Sequence, residues 1–139
     1  MKRLLRCAMA VMAVSFTSCG KANRLYPVFG TVTYKGAPAA GAAVFFHRQG
    51  ADPMNEHAVM GIVQEDGSFT LVCGAAGQGA PPGQYDVLIE WKQDQNHGKG
   101  LAHKGRDRLK GRYADRKHPR LHAVVNTESN HLSPFELTD

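Results

Sequence analysis

From Val28 onward, hydrophobic and polar residues alternate with period two, the spacing of a strand that buries one face and wets the other. Val28-Phe29-Gly30-Thr31-Val32-Thr33-Tyr34 adds β-branched and aromatic side chains to that pattern and reads as the first strand. Residues 35–41, with Gly36, Pro38 and Gly41, form a turn. Further strands are expected at residues 42–48, 57–64, 69–73, 84–92, 121–126 and 132–137. Asp66-Gly67, between the third and fourth of these runs, is the sharpest hairpin signal, because Gly takes positive φ without a Cβ clash. Tyr85, Val87, Ile89 and Trp91 share one face of their strand and point to the core. Cys73 continues the face of Phe69 and Leu71, so it reads as a small apolar core residue. Pro134 marks an edge or a bulge. The pattern predicts an all-β fold, an antiparallel, seven-stranded, two-sheet sandwich of Ig-like type.

The start of the chain follows another logic. Lys2, Arg3 and Arg6 precede an uncharged run over residues 7–16, the layout of a secretory signal peptide. That run is too short for a membrane-spanning helix, which takes about 20 apolar residues. Phe16-Thr17-Ser18-Cys19 resembles the lipobox of bacterial lipoproteins, whose Cys follows the cut and takes a diacylglycerol. The resemblance implies a signal peptide over 1–18, a lipidated Cys19 and tether over 19–27, and a β-sandwich domain over 28–139. Cleavage after Ala13-Val14-Ser15 is the alternative and leaves Cys19 a free thiol. With the lipobox cut, Cys7 is discarded and only Cys73 remains as a thiol. No internal disulfide then supports the fold, despite an oxidising, exported location.

Charge becomes informative once it is placed along the chain. The 139 residues carry 17 Lys and Arg against 12 Asp and Glu, a net +5. Three of those cations leave with the signal, which brings the mature chain to about +2. Residues 92–122 hold ten cations and only Asp94, Asp107 and Asp115, so this stretch is about +7 and the rest of the mature chain about −5. A long basic loop is expected at about 93–120, able to meet acidic lipid headgroups or glycans. Its candidate contacts are Lys104, Arg106, Arg108, Lys110 and Arg112. Aromatic interleaving is thin there, so no specific nucleic-acid site is expected.

Gly30-Thr31-Val32-Thr33-Tyr34-Lys35-Gly36-Ala37-Pro38 followed by Gly41-Ala42-Ala43-Val44 resembles the opening of carboxypeptidase regulatory-like domains, which are transthyretin-like sandwiches. Asp66-Gly67-Ser68-Phe69 and Pro82-Gly83-Gln84-Tyr85-Asp86-Val87 are similar to the next landmarks of that family. The layout, with Leu109-Lys110-Gly111-Arg112-Tyr113-Ala114-Asp115 and Asn130-x-Leu132-x-Pro134-Phe135-Glu136-Leu137, also resembles small exported lipoproteins of planctomycete-type bacteria. The resemblance implies a fold and an address, not a reaction. A hydrolase of 5-hydroxyisourate shares the transthyretin-like fold, but its closing Tyr-Arg-Gly-Ser has no counterpart in Phe135-Glu136-Leu137-Thr138-Asp139.

The seven histidines invite a metal or acid–base reading. His118 and His122 have helical ligand spacing, yet Pro119 disfavours helix at His118. His97 and His103 fall in the basic loop, and His47 and His57 flank another loop. A closed zinc site needs four N or S ligands, and the folded body offers one Cys. No catalytic residue, metal or cofactor is therefore expected. The expected role is a non-catalytic, lipid-anchored module on the periplasmic or outer face of a bacterial cell envelope, serving an accessory, adhesive or scaffolding function. A small hydrolase or metal-dependent enzyme using loop histidines is the alternative. A carbohydrate-binding module with Trp91 and Tyr113 as platforms is a further one.

Overall fold

In the computed structural model, the structure describes residues 24–52, 54, 56–92 and 105–139. The signal segment, Cys19, His97, His103 and Lys104 lie outside these residues. The described residues form ten strands in two five-stranded sheets and no α-helix.

The first sheet is organised around β1 (Val28–Tyr34). Along one edge β1 pairs antiparallel with β2 (Ala37–Pro38) and β5 (Ser68–Thr70). Along the other it pairs in parallel with β9 (Asn130–His131) and β10 (Phe135–Leu137). The second sheet is antiparallel throughout, in the order β6 (Val72–Cys73), β4 (Val59–Ile62), β3 (Ala43–Arg48), β7 (Gly83–Glu90) and β8 (Leu121–Val125). Val28, Val32, Val44, Phe46, Phe69, Leu71, Tyr85, Val87, Ile89 and Leu137 are sealed between the sheets, each at most 2% exposed. That apolar burial is the main favourable term holding the layers together.

Ten strands replace the seven expected, for local reasons. The run at 69–73 breaks at the fully buried Leu71, where the chain leaves the first sheet and enters the second. Alternation continues through the crossing, so period two alone does not reveal it. Of the closing run at 132–137 only β10 is strand, beyond Pro134, which has no N–H for a ladder, and β9 forms ahead of that run, at Asn130 in the expected turn and His131. The third addition, β2, comes from the turn that follows β1. Lys35 and Gly36 both have positive φ, 50° and 81°, the pattern of a tight two-residue hairpin, and this pairs Tyr34 with Ala37. The fully antiparallel expectation also fails at β9 and β10. A chain that crosses from the second sheet to the first and runs beside β1 in the same direction gives parallel pairs.

Asn130 makes that crossing possible. Its side-chain oxygen accepts from the Asn126 N–H at 2.7 Å, and its amide donates to the carbonyls of Glu128, Asn126 and Pro27 at 2.7, 3.2 and 3.3 Å. It is the one buried polar residue among those described, and these bonds satisfy it. Contacts with the sandwich begin before β1, because Tyr26 exchanges backbone hydrogen bonds with Ala80.

Candidate functional site

The basic segment ends as a built ridge. From Gly105 to Arg120 the chain is a succession of turns, and Asp107 organises its first half. One Asp107 oxygen accepts from the Trp91 N–H at 3.0 Å and the Leu109 N–H at 3.1 Å, and the other from the Gly111 N–H at 2.8 Å. An ionised carboxylate takes several N–H donors at once, which is how a single acid can fold a cationic segment. Leu109 and Tyr113 are then buried, and the Tyr113 carbonyl accepts from the Ile89 N–H at 2.9 Å beyond the end of β8. The resemblance motif Leu109 to Asp115 therefore carries packing: its two large apolar side chains, four residues apart, are the ridge's anchors.

Of the five candidate contact residues, Lys104 lies outside the described residues. The other four, Arg106, Arg108, Lys110 and Arg112, are exposed along the ridge. Arg108 lies over the Trp91 ring, 3.8 Å from its centroid, and its N–H donates to the Trp91 carbonyl at 2.8 Å. Trp91 in turn donates its indole N–H to the Ala40 carbonyl at 2.9 Å and meets Tyr34 edge-to-face at 5.7 Å. Lys35 sits 5.2 Å from the Tyr34 ring centroid. Cation, indole, phenol and cation thus form one connected row across the end of the sandwich. Tyr34 also donates its hydroxyl to Asp139, and Lys35 pairs with the other Asp139 oxygen. These hydrogen bonds from Lys35 and Tyr34, with the fields of Lys35 and Lys110, hold the Asp139 carboxyl below its usual range. Burial pushes the Tyr113 phenol up, but hydrogen bonds from Thr138 and Arg112 outweigh this and leave it lowered. Trp91 and Tyr113 are 8% and 7% exposed, so neither ring is an open platform for a sugar. That corrects the expectation for a carbohydrate-binding module resting on them.

The histidines lie elsewhere. On the outer face of the second sheet, register places His47 beside Asp86 and Asp86 beside His122. His122 contacts Asp86 at 2.9 Å, His47 contacts Glu56 at 3.3 Å, and Arg116 donates to Glu56 at 3.0 Å. His118 turns to Asp115 at 2.9 Å, so the pair four residues apart has two different partners. Among the described residues, no group of three or more His, Cys, Asp or Glu side chains is arranged to hold a metal ion. A groove of about 540 Å³ along β4 and β5 is lined by Met60, Ile62, Phe69 and Val72 and by no ionisable side chain. Cys73 is buried, and that burial pushes its thiol up, away from the reactive thiolate.

No protein-family model matches the chain, and no curated protein does. Among solved structures, a DUF3823 family protein from Parabacteroides merdae is similar over 81% of this chain, at 13% identity and a TM-score of 0.39. The chain spans 44% of the length of that protein.

Proposed function

We propose that the chain is a non-catalytic, lipid-anchored β-sandwich of a bacterial cell envelope, a carboxypeptidase regulatory-like module that docks acidic envelope components through its basic ridge. The observation that carries this reading is the fixing of Arg106, Arg108, Lys110 and Arg112 on an ordered scaffold, clamped by Asp107 and stacked on Trp91. Among the described residues, no carboxylate forms an ion pair with these four side chains, which leaves their charge available to a partner. A cation near an anionic surface contributes about 1 kcal/mol. Neutralising all four to Gln should therefore weaken binding to anionic envelope fractions by hundreds of fold, and added salt should mimic the loss. Unchanged binding by that variant would end the proposal. Mass spectrometry of the mature N-terminus tests the anchor: acylated Cys19 supports it, and an unmodified Cys19 removes it.

A further inference from the structure

The end of the sandwich already holds a carboxylate, and it belongs to the chain itself. Each oxygen of Asp139 has its own partner, the Tyr34 hydroxyl for one and the Lys35 ammonium for the other. Both partners are fixed by the fold. Tyr34 is the last residue of β1 and packs edge-on against Trp91. Lys35 is held at positive φ in the hairpin corner, with its N–H donated to the Leu137 carbonyl at 3.2 Å. Lys110, at a second Lys-Gly corner with φ of 53°, adds its field to the same carboxylate. The cradle is therefore shaped before anything enters it, and its occupant is an aspartate on chain that has just left β10. That occupant is held loosely: the side chains of Lys35 and Asp139 are 57% and 71% exposed, and an ion pair that open to water exchanges readily.

We infer that Tyr34 and Lys35 form a carboxylate-recognition site for an acidic peptide segment of a partner, and that Asp139 occupies it in cis as a built-in competitor. This rests on the ridge reading and names the partner's chemistry. A peptide is favoured over other polyanions because the carboxylate found in the cradle is an aspartate side chain on polypeptide that has just left a strand. The cost of displacing Asp139 makes binding of a single carboxylate weak, so a partner must offer several acids.

The test is fluorescence anisotropy of a labelled oligo-aspartate peptide at low salt, on the full chain and its variants. Asp139→Asn should bind about two- to fivefold more tightly, the range an exposed ion pair supports. Glu136→Gln, which removes the same charge from a neighbouring exposed position outside the cradle, should change little. In a Lys35→Ala background the gain from Asp139→Asn should vanish. Equal gains from Asp139→Asn and Glu136→Gln would overturn the competitor, because only overall charge would then matter. Binding of polygalacturonate or phosphatidylglycerol vesicles without binding of the peptide would overturn the peptide assignment. So would the absence of any binding. A ridge variant, Arg106→Gln with Arg112→Gln, separates the two proposals: if it binds the peptide like the parent while Lys35→Ala does not, the ridge reading fails and the cradle stands.

Discussion

Replacing Asp107 by Ala tests whether the ridge is a built element or a passive loop. The substitution removes an acceptor of three backbone N–H groups, from Trp91, Leu109 and Gly111, at 3.0, 3.1 and 2.8 Å. A hydrogen bond to a charged group contributes about 1.5–3 kcal/mol, but Asp107 is only half-buried, so water re-solvates part of what is orphaned. A net loss of about 2–4 kcal/mol follows. The loss reaches the whole domain, because the ridge buries Leu109 and Tyr113 and supplies the acceptor for the Ile89 N–H. For a domain of this size, each kcal/mol lowers the melting temperature by roughly 4 °C, so thermal unfolding should shift down by roughly 8–16 °C. Asp107→Asn keeps one oxygen but turns an N–H₂ toward a donor, so it should fall between the parent and Ala. Hydrogen exchange should localise the effect to the amides of Trp91, Leu109 and Gly111. An Asp107→Ala protein within about 0.5 kcal/mol of the parent, with those amides still protected, would refute the clamp.

Gly30→Ala should destabilise by about 1–3 kcal/mol in urea titration, since its Cβ would stand 2.5 Å from the ring of the buried Phe69; a neutral result would mean that Phe69 can move aside. Tyr85 supplies a pH dependence: burial pushes its phenol up to about 12, while its hydroxyl donates to the Pro81 carbonyl at 2.7 Å. The unfolded chain releases this proton near 10 and the folded protein near 12, so stability is fully present below pH 10 and falls as pH rises toward 12. The decline should amount to about 2 kcal/mol across that window, and its persistence in Tyr85→Phe would assign it to another group.

The strands were legible because period-two alternation is a local property. β1 coincides with the expected run, and Tyr85, Val87, Ile89 and Trp91 are buried on one face as their spacing requires. What escaped depends on partners far along the chain. Leu71 sits in an unbroken alternating run, yet the strand changes sheets there, and only the pairing of Phe69 with Gly30 and of Cys73 with Val59 reveals it. Asn130 looks like a turn residue, and turn propensity does not say that it will be buried with its amide fully bonded. Asp107 carried a weak signal, as one of three acids in a stretch of ten cations. Its effect lies in reaching Trp91 across sixteen positions, which no local pattern encodes.

This changes what the charge of the segment can accomplish. Ten cations on an unstructured loop would repel one another and would lose conformational entropy on meeting an anion, offsetting much of the attraction. Folding residues 105–120 around Asp107 places part of that ordering cost in the folding of the domain, where the burial of Leu109 and Tyr113 offsets it. The acids at the flanks have a complementary effect. Glu56 turns to Arg116 and Asp139 to Lys35, so the ridge's boundary is locally neutralised. Arg106, Arg108, Lys110 and Arg112 remain exposed between those neutral margins. The physical distinction between a solvated loop and an ordered basic ridge is therefore a carboxylate that holds three N–H groups, not the number of cations around it.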